Sequence, residues 1–387
     1  MTKARQHPRI GTIVSAVAAL ATVLALSACA PAAPHPGSTT HAHAGSGHGG
    51  GSVPKPKPTP LADPVSRIKP GCAGLASSAD ITTAIGVNAP VASNGLVLDQ
   101  QIVYTQDGAL ACNWSDNQAG DSSQISNHLS VWVVPDLTDA EWAIYSPNLA
   151  DDAEAKTAVL PGDAWEYCSA DATQPGLCDV DTRVGTTWVR AEVESQSKKF
   201  ATDAATLAHF APLLSSIINK VGAAGAVAEP RWSDPAAIPT LTSCASIFTT
   251  AQLATATGLT GFEDVENGPD PQALSGWGVQ VGTGEVGCDW FPGDQSAVVG
   301  AEILPSGGWA WSQVQQYASS QPGYAAVPNL GPDAVTYTDQ GSGGTTVVEW
   351  NSGHNLITVT VQLTGTPAQQ LAATMSLAMT LSGELPS

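Results

Sequence analysis

The chain has 387 residues, room for two domains with appendages, and only 12% of them are charged. A net charge of −20 excludes a nucleic-acid binder, because no basic face exists to replace phosphate counterions. Arg231 is the last Lys or Arg, so the second half is acidic throughout; this surplus reads as a solubility device.

At the start, Lys3, Arg5 and Arg9 precede an apolar run from Ile10 to Leu26, the layout of an export signal. Leu26-Ser27-Ala28-Cys29 follows and resembles the lipobox of bacterial lipoproteins, whose Cys becomes the lipidated first residue of the mature protein. The expectation is a lipoprotein signal peptide over residues 1–28 and a lipid anchor on Cys29. That anchor would hold the chain on the extracytoplasmic face of the cell membrane. No later apolar run is long enough to span a bilayer. Residues 29–70 are rich in Pro, Gly, Ser, Ala and His, a composition that buries no core and predicts a disordered stalk. His35, His41, His43 and His48 lie in that stalk as spacer residues, since nothing there fixes a metal geometry.

Beyond the stalk one stretch is used twice. Cys72 to Gly86 returns without a gap as Cys244 to Gly258. Each copy has a Cys, an apolar anchor, an N-cap hydroxyl, a capping partner three residues on (Ser77 with Asp80, Thr249 with Gln252) and a closing Gly. The copies head two repeats, residues 71–223 and 241–387, joined by an Ala/Pro-rich linker at 224–240.

In the first repeat a run from Leu96 to Tyr104 leads to Cys112-Asn113-Trp114 on a strand. Leu129 to Val134 and Thr186 to Val193 alternate as strands, and Asp139 to Tyr145 has the look of a helix. Asp163 to Cys168 and Cys178 to Asp181 flank a turn at Pro175-Gly176. Ala201 to Val221 is a long helix. The second repeat gives Cys288-Asp289-Trp290, strands at 297–304, 347–350 and 356–362, and helices at 309–319 and 367–381. The fold class is α+β: two tandem similar domains, each an antiparallel sheet packed against a short N-terminal and a long C-terminal helix.

Setting Cys29 apart from the seven cysteines leaves six, and an even set in an exported protein reads as disulfides. Cys72 and Cys112 match Cys244 and Cys288, so each pair closes inside its repeat and Cys168 is left for Cys178. The long loops are worth about 4 kcal/mol each on the chain-entropy model.

Signals for chemistry are sparse. Gly-x-Ser-x-Gly, His-Glu-x-x-His and Cys-x-x-Cys are all missing, and no glycine spacing fits a dinucleotide loop. His128, His209 and His354 fall at unmatched places in the repeats. Neither a catalytic set, a cofactor nor a metal site is expected. Glu263, Asp264, Glu266 and Asp270 are read as a solvated acidic loop. Of the 11 tryptophans, Trp114, Trp290, Trp142 and Trp311 recur and read as core. Trp277 and Trp309 sit beside glycines without counterparts, which makes them the candidate ligand contacts.

Taken together, the lipobox, the Pro/Gly stalk, and the pattern Cys72…Gly86…Cys112-x-Trp114 with Cys244…Gly258…Cys288-x-Trp290 resemble uncharacterised envelope lipoproteins and sensor-type domains of actinobacteria. The resemblance implies location and fold more than activity. The expected function is a lipid-anchored, extracytoplasmic binding or sensor-like module without catalysis, with the membrane and an envelope ligand or protein as partners. The alternatives are an envelope enzyme acting on wall glycan or peptide, and an accessory subunit of a membrane complex.

Overall fold

The computed structural model describes residues 63–89, 98–116, 127–151, 154–170, 175–224, 232, 244–267, 282–293, 297–340 and 344–385. The signal, Cys29, most of the stalk, nearly all of the linker and Trp277 lie outside them.

The first half opens with α1 (Gly71–Leu75) and α2 (Ser78–Ile85). α2 starts where Ser77 and Asp80 close their capping box, and it stops at Gly86, whose φ of +82° a side chain would disfavour. There follow α3 (Leu98–Asp107), β1 (Leu110–Ser115), β2 (His128–Val134) and α4 (Asp139–Asp151). β3 (Ala155–Thr157), β4 (Asp163–Ser169), β5 (Gly176–Val184), β6 (Thr187–Ser195) and α5 (Asp203–Ala224) complete it. The strands form one antiparallel sheet in the order β1-β2-β6-β5-β4-β3.

The second half has α6 (Thr250–Thr257), capped by Thr249 and Gln252, then β7 (Glu263–Asn267), β8 (Val286–Phe291) and β9 (Ala297–Leu304). A 3-10 turn at Gly307–Ala310 leads into α7 (Trp311–Ser319). β10 (Ala325–Ala326), β11 (Ala334–Asp339), β12 (Thr345–Asn351), β13 (Leu356–Leu363) and α8 (Pro367–Glu384) end the chain. The sheet order is β10-β11-β12-β13-β9-β8-β7. Read from the Cys-bearing strands, β1 and β8, the two orders correspond strand for strand, with β7 added outside β8.

The disulfides are Cys72–Cys112, Cys168–Cys178 and Cys244–Cys288, as the repeat alignment requires. Two of them tie the N-terminal turn of a half to its sheet; the third staples the β4–β5 hairpin.

Each sheet buries one face against its own helices. In the first half Leu129, Val131, Val133, Val180, Val189 and Val193 meet Phe210, Leu214 and Ile217 of α5. In the second, Val299, Ile303, Val348, Ile357 and Val359 meet Leu377 and Leu381 of α8. Period-2 alternation on the strands and the apolar stripe of the long helices produce both cores.

The run from Leu96, to which the sequence assigns no element type, is a helix from Leu98, with Ile102 and Val103 buried on one face. Two features differ from the sequence expectation. Glu263–Asn267, read as an acidic loop, is an edge strand paired with β8. An edge strand needs only one backbone partner, and Asp270, read with the same loop, lies outside the described residues. The larger difference is a third apolar cluster that takes residues from both halves. Tyr104, Trp142, Tyr145, Leu149 and Trp188 come from the first half, and Leu304, Trp311, Val314, Val335 and Tyr337 from the second. Gln106, 2% exposed, fastens it: its amide N–H donates to the Pro305 carbonyl (2.7 Å) and its carbonyl accepts from the Trp309 indole (3.1 Å). The halves are joined by a core as well as by the linker.

Candidate functional site

Antiparallel pairing lines up side chains across the face of each sheet turned away from its long helix. On the first sheet one row reads Asn113, Ser130, Glu192, Asp179, Tyr167. The next reads Ala111, Trp132, Arg190, Asp181, Trp165, and a third holds His128, Glu194 and Leu177. On the second sheet the matching rows are Asp289, Gly300, Thr360, Val347, Tyr337, and then Gly287, Glu302, Thr358, Glu349, Val335. The two grids share one feature beyond Tyr167 and Tyr337: Asp181 and Glu349, at the same grid point, are 0% and 1% exposed.

Each buried carboxylate is served by an aromatic donor. The Trp188 indole N–H donates to Asp181 Oδ1 (2.7 Å), with Arg190 3.5 Å from Oδ2. Glu349 accepts from the Tyr337 hydroxyl (2.9 Å) and from the Thr358 hydroxyl (3.2 Å).

The first sheet's face is a charge ladder. His128 Nε2 lies 3.0 Å from Glu192 Oε1 and Nδ1 lies 3.9 Å from Glu194. The His128 hydrogen bond holds the Glu192 carboxyl below its usual range. Asp179, across the strand from Glu192, is pushed up to about 6 by burial and then by the Glu192 charge. Burial pushes Asp181 to about 7 against the pull of Arg190. Burial would lower the Arg190 guanidinium, but Asp181 and Asp179 outweigh it and raise it.

These shifts have a stability consequence. An aspartate whose folded value exceeds its unfolded value of about 3.9 favours the fold while protonated. Its contribution is present below about pH 4 and is lost as the pH rises through 6 for Asp179 and 7 for Asp181. Asp179→Asn is therefore expected to gain about 2 kcal/mol at pH 8 and to flatten the fall in stability between about pH 4 and 6. Urea denaturation across that range checks it; a variant with the wild-type slope would place the titration elsewhere.

The second sheet's face is a cavity of about 330 Å³ lined by Asp289, Val298, Glu302, Tyr337, Asp339, Thr345, Val347, Thr358, Thr360 and Gln362. The Thr360 and Asp289 side chains of its wall close over Gly300. A Cβ built there would stand 2.4 Å from the Thr360 hydroxyl and 3.0 Å from Asp289 Oδ1. Ser130 occupies the equivalent grid point of the first sheet. The cavity borders the shared core, since Tyr337 and Val347 belong to both.

Of the tryptophans singled out in the sequence, Trp277 lies outside the described residues. Trp309 is half-buried against the shared core, its N–H bonded to Gln106 and its ring beside Trp232. Trp114 and Trp290 are core, 2% exposed each, and Trp142 and Trp311 are buried between the halves. His209 Nε2 lies 2.8 Å from the Ala84 carbonyl, a packing role. Among the described residues no three His, Cys, Asp or Glu side chains are grouped to hold a metal ion, and no helix is long and apolar enough to cross a membrane. Sequence reasoning missed both polar faces. The available signal was alternation: Asp179 and Asp181 about Val180, Arg190, Glu192 and Glu194 about Ala191 and Val193, and Thr358, Thr360 and Gln362 on β13.

No protein-family model matches the chain, and neither a curated protein nor a solved structure matches it.

Proposed function

We propose that this is a lipid-anchored, extracytoplasmic binding module, built from two copies of one α+β unit, whose ligand site is the cavity on the second sheet. The observation that carries the reading is that cavity: about 330 Å³, within the size range of small-molecule sites, with converging carboxylate, hydroxyl and amide groups. Two things support its placement outside the cytoplasm. Three disulfides belong to an oxidising compartment, and Leu26 to Cys29 reads as a lipidation site. The matching strand orders and the paired positions of Asp181 and Glu349 support the duplication. The first unit then serves as scaffold, its face crossed by ion pairs and backed by an extra disulfide.

Gly300→Val tests the site, because a side chain there would push Thr360 and Asp289 out of their places in the cavity wall. Native mass spectrometry of the intact chain in detergent, exposed to a small-molecule extract of the envelope, is expected to show a retained compound that the variant loses. Equal retention by both proteins would move the site away from the cavity.

The rival reading, an enzyme acting on wall glycan or peptide, has one observation in its favour. Asp179 and Glu192 are cross-strand neighbours with protonation driven apart, the pattern of an acid and a base. Release of soluble fragments from purified cell wall, abolished by Glu192→Gln, would establish it. The binding reading expects no release.

A further inference from the structure

We propose that Asp181 and Glu154 form a proton switch in the first unit: a proton held between them fixes α4, and its loss loosens α4 and the shared core that α4 helps to build. Asp181 is 0% exposed, Glu154 is buried, and a side-chain hydrogen bond joins the two. Two carboxyl groups can hydrogen-bond to each other only while one of them carries a proton. The rest of Asp181 is engaged: the Trp188 indole N–H donates to Oδ1 at 2.7 Å, and Arg190 stands 3.5 Å from Oδ2. Ionising both carboxyls would put a second negative charge into a space closed to water, where like charges repel far more strongly than at a surface.

The two carboxyls hold different pieces of the shared core. Asp181 anchors the ring of Trp188, which packs on Tyr145 and Trp142 of α4. The Glu154 backbone N–H donates to the Leu149 carbonyl (2.9 Å) in the last turns of α4, and Tyr145 and Leu149 of that helix are fully buried in the same core. Repulsion between Asp181 and Glu154 therefore strains the seat of α4 from both sides. Tyr337 and Val347 belong to that core and also to the cavity wall of the second unit.

The surroundings favour a titration near neutrality. On β5, Asp179 and Arg183 share the face of Asp181, and Arg183 is engaged with Asp139 and the Leu137 carbonyl. β6 places Arg190 opposite Asp181 and Glu192 opposite Asp179, with Glu192 held by His128 of β2. β4 presents Trp165 and Tyr167 to the same two aspartates, and Lys156 of β3 lies over the Trp165 ring and pairs with Asp163. α4 adds Tyr145, which acts on Arg190. Arg190 serves Asp181, Asp179 and Glu154 together, one guanidinium among three carboxyls. Burial raises Asp181 to about 7, so the stability carried by its proton is present in acid and is lost as the pH rises through that value.

The test is hydrogen exchange with mass spectrometry on the intact chain in detergent at about pH 5.5 and about pH 8.5, with rates corrected for the intrinsic effect of pH. Peptides covering α4 are expected to open at least about tenfold more often at the higher pH, with those of α5 and α8 unchanged. Asp181→Asn and Glu154→Gln, which remove one titrating carboxyl each and keep a hydrogen bond, are expected to hold α4 at its low-pH exchange throughout. Equal protection of α4 at both pH values in the wild type, or a rise that persists in both variants, would overturn the proposal. Carbon-13 NMR of the wild-type carboxyls gives a reading that needs no variant. A carboxyl titrating near pH 7 is expected, and titration of every carboxyl below about pH 5 would overturn the switch.

Discussion

Trp188→Ala is expected to cost about 5 kcal/mol, a large part of the 5–15 kcal/mol that holds a typical protein folded. Trp188 is 1% exposed, with its ring centroid 4.5 Å from that of Tyr145 and 6.4 Å from that of Trp142. Truncation leaves a void in the shared core, worth about 3–5 kcal/mol by itself. It also strips Asp181 Oδ1 of its indole donor in a site without water access, which adds about 1–3 kcal/mol. Trp188→Phe separates the two effects: the ring stays, the N–H goes, and the expected loss is about 1–2 kcal/mol. Urea denaturation followed by circular dichroism measures both. An alanine variant within 1 kcal/mol of wild type would mean that the cluster between the halves adds little to stability.

The second large effect is expected on separating the halves. A fragment spanning residues 241–387 keeps its own sheet, the Cys244–Cys288 bridge and the core under α8. It loses the first half's share of the joint cluster and the Gln106 bonds to Pro305 and Trp309. Each large apolar side chain newly left in water forfeits about 1.5–3 kcal/mol, so two or three of them weigh heavily against the stability of a single unit. The fragment is expected to retain far-UV circular dichroism, bind a hydrophobic dye and lose most of its near-UV signal. A fragment that melts as cooperatively and at the same temperature as the whole chain would show that the linker alone joins two self-sufficient domains.

The sequence shows two tandem domains joined by a linker and no sign of the shared core, and the reason is physical. The helical pattern around Trp142 and Trp311 says that one face is buried; it does not say what covers that face. Both residues recur and so read as core, and Trp142 does pack on Tyr145, Trp188 and Asp163 of its own half. The cluster continues into the other half where Gln106 of α3 meets Pro305 and Trp309, a contact between segments about 200 residues apart that no local pattern carries. The disulfides were legible for the opposite reason. Duplication placed Cys72 and Cys112 on Cys244 and Cys288, and only one assignment respects both copies. The long helices were legible too, because Leu207, Phe210, Leu214 and Ile217 mark a stripe that only a 3.6-residue period explains.

The candidate site was harder to find because a grid of side chains is assembled from strands far apart in the chain. Asp289, Glu302 and Asp339 look like solvated surface acids when taken one at a time. Pairing of β8, β9, β13, β12 and β11 brings them around one recess. Gly300 stands in a β-branched, alternating run and gives no hint in sequence that Thr360 and Asp289 pack over it in the cavity wall. Trp309 was noticed for its glycine neighbours, but Gly307 and Gly308 serve packing: a Cβ on either would come within 3.0 Å of Leu304, Leu356, Asn351 or His354.

The most direct measurement is diffraction from crystals of the protein soaked in a small-molecule extract of the envelope. The expected result is density for a bound compound in the second sheet's recess, beside Tyr337, Thr358 and Thr360. A compound bound only on the first sheet's ladder of Glu192, Glu194 and Asp179, with no density in the second sheet's recess, would contradict the assignment of the site.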